Sequence, residues 1–286
     1  MARGLRIQRL ATLAVVVHDI SDPYFAEVVR TAAAAASESG LLTMVCSSER
    51  NPEIELKNIA MLRQARVAAV LFAGGGLAGT EHERQIGSLA REIHSYGGAV
   101  VALAPRAERW PAEVFDFRGG ATMAARHLVE LGHRRIAVIS GPGHVRTIME
   151  REAGYREVLS AASVECYRTV GDFTCDGGMR AAGELLAGGR PFTAVLVAND
   201  AMAMGVLAEL RRRGISVPGE VSVVGFGDVP AAGYLSPTLT TVQVPAAEIG
   251  AAGARRALDI LAGHDTGPRV RVHPVELVVR ESTAPP

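Results

Sequence analysis

Lysine, cysteine and aromatic side chains are all scarce in this sequence, and each shortage narrows what the chain can be. Lys57 is the only lysine, so arginine supplies the rest of the basic charge; the skew reads as coding bias before function. Thirty basic residues balance thirty acidic ones, and a formal charge of zero argues against broad electrostatic binding to nucleic acid or membrane by the body of the protein. Three cysteines, Cys46, Cys166 and Cys175, show no C-x-x-C spacing, which fits a reducing compartment better than a disulfide framework. No apolar run approaches the ~20 residues that span a bilayer. The basic start MARGLRIQRL leads into ATLAVVV and then polar HDISD, a first core strand rather than a secretory signal. A cytoplasmic protein is expected. G-x-S-x-G, H-E-x-x-H and the P-loop lysine motif are missing, and Gly74-Gly75-Gly76 does not complete G-x-G-x-x-G. The histidines are scattered, with His127 and His133 read as structural or surface residues. Neither an enzyme nor a cofactor is expected.

What is present is a globular composition, 48% hydrophobic and 21% charged over 286 residues. Taking about 150 residues per domain gives two domains or subdomains. Folding should bury about three quarters of the unfolded surface, enough for a core without disulfides or metal. Short β-rich runs alternate with helical patterns. Strands are expected at Thr12–His18, Leu41–Ser47, Val67–Phe72 and Ala99–Leu103, with helices at Pro23–Ser39, Glu53–Gln64 and Glu81–Tyr96 between them. The series restarts with a short strand Val114–Phe117 and a helix Gly119–Leu131. Further strands fall at Ile136–Ser140, Tyr167–Val170, Ala194–Ala198, Val221–Gly225 and Thr241–Val244. Helices at Thr147–Ala161, Cys175–Leu186, Ala201–Arg213 (capped by Asp200) and Ala246–Leu261 join them, and a final strand lies near Val270–Val279. Such alternation implies parallel sheets covered on both faces, with ligands beyond the carboxyl ends of the strands. Tyr24 and Phe25 follow the first strand; they either staple the helix start or stack on a ring-shaped ligand.

The segments HDISDPYFAEVVRTA, HLVELGHRRIAVISGPG, REAGYREVL, PFTAVLVANDAMAMGVLAELRRRGISVPGEVSVVGFGD, SPTLTTVQVPAAEIG and VELVVREST occur in that order. Over residues 5–283 the chain resembles the effector-binding core of the lac/galactose repressor (LacI/GalR) family of transcription regulators. The resemblance implies a periplasmic-binding-protein-like type I α/β fold, with two doubly wound parallel-sheet subdomains and a cleft between them. Crossovers near 114, 245 and 270 would give an N-subdomain of 10–114 plus 246–270 and a C-subdomain of 115–245 plus 271–286. Residues 1–9, with Arg3, Arg6 and Arg9, would be a residual hinge stub or a solvated tail.

The resemblance also implies a small-molecule effector, a sugar or related metabolite, held in the cleft. Operator DNA would be bound only through an N-terminal helix-turn-helix domain absent from this chain. The reasons left open for that absence are a truncated chain, a misassigned start codon or a natural headless protein. By correspondence with the family pattern the effector residues are Tyr24, Phe25, Arg106, Asp116, Thr147, Arg151, Phe173, Asn199 and Asp228. Arg151, whose fork of donors suits a carboxylate or hydroxyls, has a helix-surface salt bridge as its other reading. Phe117 stands where the family has Asn beside Asp116, and Gly227 where it has a ligand carboxylate. A glycine there removes the acceptor for paired hydroxyls and questions the usual sugar chemistry: the effector lacks vicinal hydroxyls at that end, Asp228 turns inward, or the response is lost. The first is preferred, together with the expectation that Gly227→Asp improves binding of free monosaccharides. A homodimer is expected, through the apolar helix Ala201–Arg213 and the alanine-rich stretch Thr31–Ala36. The other functional class is a solute-binding protein of an importer, which shares the fold and would lie beside a permease gene.

Overall fold

A computed structural model describes residues 12–286; the basic stub 1–9 lies outside them. Helices and strands alternate strictly at first. In order they are β1 (Thr12–Val17), α1 (Pro23–Glu38), β2 (Leu42–Ser47), α2 (Pro52–Gln64), β3 (Ala69–Phe72), α3 (Glu81–Ser95) and β4 (Ala99–Ala102). Then follow β5 (Ala112–Phe115), α4 (Phe117–Glu130), β6 (Arg135–Ser140), α5 (Arg146–Ala161), β7 (Glu165–Val170), α6 (Cys175–Ala187) and β8 (Ala194–Val197). The chain ends with α7 (Asp200–Arg212), β9 (Ser222–Gly227), a 3-10 turn at Pro230–Gly233, β10 (Thr240–Gln243), α8 (Ala246–Ala262), β11 (Val270–His273) and β12 (Glu276–Val278).

The central strands are short unbroken apolar runs. TLAVVV, AVLF and AVVA in the first half, and AVLV in the second, are buried along their whole length, as parallel strands covered by helices must be. Polar side chains set the helix starts. Asp22 accepts the Tyr24 N–H at 3.0 Å ahead of Pro23, and Asn51 does the same for Glu53 at 2.8 Å ahead of Pro52.

Two compact units result, one running to Val114 and taking up Ala246–Val272, the other built from Phe115–Pro245 and His273–Pro286. The first sheet has the order β11-β5-β4-β3-β1-β2 and the second β12-β10-β9-β8-β6-β7. Read from the β2 and β7 ends, both are 2-1-3-4-5 doubly wound sheets with one added strand. In such a sheet the strand order reverses beside the first strand, and ligands bind at the carboxyl ends of the strands flanking that point. The switch points are therefore β1/β3 and β6/β8.

The structure departs from the sequence reading in three places. The strand expected at Val114–Phe117 ends at Phe115, and Phe117 opens α4, because Asp116 caps that helix by accepting the Gly119 N–H at 2.7 Å. Asn199, not Asp200, caps α7, its Oδ1 accepting the Met202 N–H at 3.0 Å. The single final strand is two: β11 joins the first sheet beside β5, while β12 runs antiparallel to β10 in the second. Pro274 lies between them and has no N–H to continue a ladder.

Candidate functional site

In the first unit the carboxyl ends of β1 and β3 carry a buried polar cluster that no sequence spacing announces. The His18 ring follows β1, lies over Gly74 and meets Phe25 edge-on at 5.9 Å. Desolvation lowers its pKa to about 4, against the pull of Glu55, so the imidazole is neutral near pH 7. Glu55 accepts from Arg106 Nη2 at 2.5 Å and pairs with His82 Nε2 at 2.7 Å. Burial would raise its pKa; the Arg106 charge, with His82, overcomes that and brings it to about 2. Arg106 also donates through Nη1 to Glu83 at 2.9 Å and through Nε to the Gly74 carbonyl at 3.1 Å, and its side chain is 1% exposed.

This revises two sequence expectations. Arg106 is a buried strut that ties three segments together, all three of its nitrogens being engaged, rather than an open donor. Phe25 is buried and packs on His18 and Tyr24, the second contact edge-on at 5.1 Å, which supports the staple reading for Phe25. Tyr24 is half-buried at the start of α1, just past the β1 end.

In the second unit the switch point gathers most of the remaining candidates. Arg151, one turn along α5 from buried Thr147, lies with its guanidinium 4.4 Å from the Phe226 ring centroid and 5.6 Å from that of Phe117. It donates to the Ala198 carbonyl at the end of β8. A guanidinium stacked on rings keeps its edge donors directed in one plane. The Phe173 ring covers Gly141, where a Cβ would stand 2.4 Å from ring carbon Cζ, so only glycine permits this approach after β6. Asn199 joins the Phe173 loop to α7, its amide nitrogen donating to the Phe173 carbonyl at 3.0 Å while its oxygen caps α7. By valence each end of that amide retains one further bond.

Beyond β9 the picture changes. Asp200 is buried, accepting the Thr241 hydroxyl at 2.6 Å and the Val229 N–H at 2.9 Å. Burial raises its pKa to about 6 despite those bonds. Asp228 pairs with Arg280 at 2.7 Å and accepts from Gln243 at 3.0 Å, so its carboxylate serves the packing of the second unit. The expectation of a ligand contact from Asp228 therefore meets two competing partners. Asp116, the other acidic candidate, is exposed and caps α4. Sequence reasoning gave no role to His18, Glu55, His82 or Phe226, and noted Phe117 only as the replacement for the family's Asn. His18 and Phe226 lay inside the HDISDPYFAEVVRTA and SVVGF segments, the one local signal either carried.

A family model described as a periplasmic binding protein-like domain matches residues 125–283. The HTH-type transcriptional regulator DegA of Bacillus subtilis (strain 168) is 33% identical over 99% of this chain and 84% of its own length. The HTH-type transcriptional regulator GalR of Salmonella typhimurium (strain SL1344) is 34% identical, over 100% and 82%. The chain belongs to the LacI/GalR family of transcription regulators. A structure of the transcriptional regulator CelR in complex with cellobiose superposes with a TM-score of 0.83 at 32% identity, over 96% of this chain and 85% of that one. These relatives of the LacI/GalR chain are regulators rather than enzymes. Among its described residues no helix is long and apolar enough to cross a membrane.

Proposed function

We propose that this LacI/GalR chain is the effector-sensing and dimerisation core of a DNA-binding transcription regulator, responding to a small sugar-like molecule. The observation that carries the reading is Arg151. It sits at the second unit's switch point with its guanidinium over Phe226 and bonded to the carbonyl of Ala198, the residue before Asn199, whose amide in turn holds the Phe173 carbonyl. That set offers a charged donor, an amide and an aromatic wall, the combination that binds a hydroxylated ring. CelR, of the same family, holds cellobiose. Tyr24 and neutral His18 mark the equivalent end of the first unit.

Dimerisation is supported by apolar surface on each unit. Edge strand β2 leaves Leu42 75%, Met44 42% and Val45 40% exposed. In the second unit Met204, Leu207, Leu235 and Pro237 line an apolar groove beside α7, and Tyr234 is 89% exposed. Operator recognition would fall to a separate helix-turn-helix domain.

The test is a thermal-shift screen with mono- and disaccharides, followed by calorimetry on any sugar that raises the melting temperature. Arg151→Ala should weaken binding of that sugar by about 1.5–3 kcal/mol, the loss of a charge-assisted hydrogen bond. Unchanged affinity in the variant would remove Arg151 from the site.

A further inference from the structure

The first unit contains a cavity of about 840 Å³ walled by α3, the loop before β5 and the end of α8, a size typical of small-molecule pockets. Trp110, Val100 and Ile260 make its apolar lining. Trp110 is the only tryptophan of the chain; it is half-buried and stacked on Phe72 with centroids 4.9 Å apart. Four arginines, Arg84, Arg91, Arg109 and Arg269, line the same cavity. Arg84 pairs with Glu81, and Arg91 with Glu108 at 2.7 Å. The other acids there are spent elsewhere, Glu83 on Arg106 at 2.9 Å and Asp265 beside Arg256 at 3.6 Å.

Arg109 and Arg269 have no carboxylate partner among the described residues. Arg269 donates through Nε and Nη2 to the Arg109 carbonyl, which holds the two residues together one position from Trp110. Uncompensated guanidinium charge beside an aromatic platform suits a planar body that carries an anion. The ring stacks or packs edge-on, and a carboxylate accepts from a guanidinium fork.

We propose that this cavity is a second small-molecule site, distinct in chemistry from the effector residues, and that it takes an aromatic carboxylate. It would report on a metabolite class unrelated to sugars. Its nearest link to the buried cluster is Glu83, which lines the cavity, holds Arg106 and accepts the Ala107 N–H at 3.0 Å.

The sole tryptophan makes the test direct. The probe is 4-nitrobenzoate, a quencher of indole emission, and the control is 4-nitrobenzamide, with the same ring and no charge. Saturable quenching of Trp110 is expected with the benzoate, and at least tenfold weaker binding with the amide. Arg109→Gln should weaken the benzoate by about tenfold, the difference between a charged and a neutral donor. Its melting temperature should match wild type, since no bond from the Arg109 side chain to another described residue supports the fold. A double variant, R109Q with R269Q, should abolish saturation. Linear, unsaturable quenching, equal binding of the two compounds, or wild-type affinity in R109Q would each overturn the proposal.

Discussion

Arg106 shows how one side chain can hold the carboxyl end of a sheet together, bonding to Gly74, Glu83 and Glu55 at once. Its guanidinium pairs with buried Glu55 and Glu83, and at Glu55 it offsets the burial that alone would push the carboxyl toward neutrality. Removing one partner of a buried pair leaves an uncompensated charge, so Arg106→Met should destabilise the protein by roughly 3–5 kcal/mol in urea unfolding at pH 7. The loss should shrink in acid. The Glu55 pKa is lowered, so its pairing stabilises above the unfolded value of 4.5 and fades as pH falls toward about 2. Asp200 has the opposite sign. Its folded pKa, raised to about 6 by burial, means that the unfolded state loses this proton first, and stability falls as pH rises from about 4 to 6. His18 works against that trend, since its lowered pKa makes stability rise across about pH 4 to 6.5. Wild type therefore sums two opposed slopes. Asp200→Asn removes only the falling one, so unfolding free energies should show the variant gaining on wild type by roughly 2 kcal/mol between pH 4.5 and 6.5, whatever its offset from the lost bonds. A constant difference between the two proteins would contradict the assignment.

Among the elements, the β9 end decides what can stand at position 227. Gly227 has φ +142°, in the region side chains rarely adopt, and a Cβ there would stand 3.1 Å from Asp200 Oδ2. The expectation that Gly227→Asp simply restores a ligand carboxylate is therefore revised: the substitution strains the backbone and places a second acid against a buried one. A stability loss of about 1–3 kcal/mol is expected by thermal or urea unfolding, before any sugar is added. Much of the architecture was legible in the sequence, because parallel strands buried on both faces write themselves as short apolar runs such as AVLF and AVLV. Helix starts were legible where Asp22 precedes Pro23, and misread where Asn199 and Asp200 compete for one cap. The division of Val270–Val279 between two sheets was hidden because both halves carry the same alternation of valine or leucine with polar residues, although Pro274 marks the break. His18, Glu55, His82 and Arg106 come from four segments that only the fold assembles, so their cluster had no spacing to detect. Arg151 and Phe173 were named from the family pattern; that the Arg151 guanidinium lies over Phe226 and near Phe117 had to await coordinates.

For the whole molecule, association is the first consequence of the surface. Leu42 and Met44 on β2 and Leu207 in the groove beside α7 are apolar positions with solvent access in their own units. Light scattering at micromolar concentration should find a dimer. The triple variant Leu42→Glu, Met44→Glu, Leu207→Glu should be a monomer with a native circular-dichroism spectrum; a dimer of unchanged strength would place the interface on another face. The discontinuity of the first unit bears on something else, the order of events on the ribosome. Its α8 packs on α1, where Gly250 meets the Val28 carbonyl and Thr31, and β11 extends its sheet beyond β5, yet both are encoded after Phe115–Pro245. At about 5–20 residues per second, those 131 intervening residues separate β5 from α8 by roughly 7 to 26 s of synthesis. The first half to emerge is thus the last to close. For that interval the face of α1 destined for α8 is bare, the nascent chain's natural handle for a chaperone, while most of the second unit is already complete behind it.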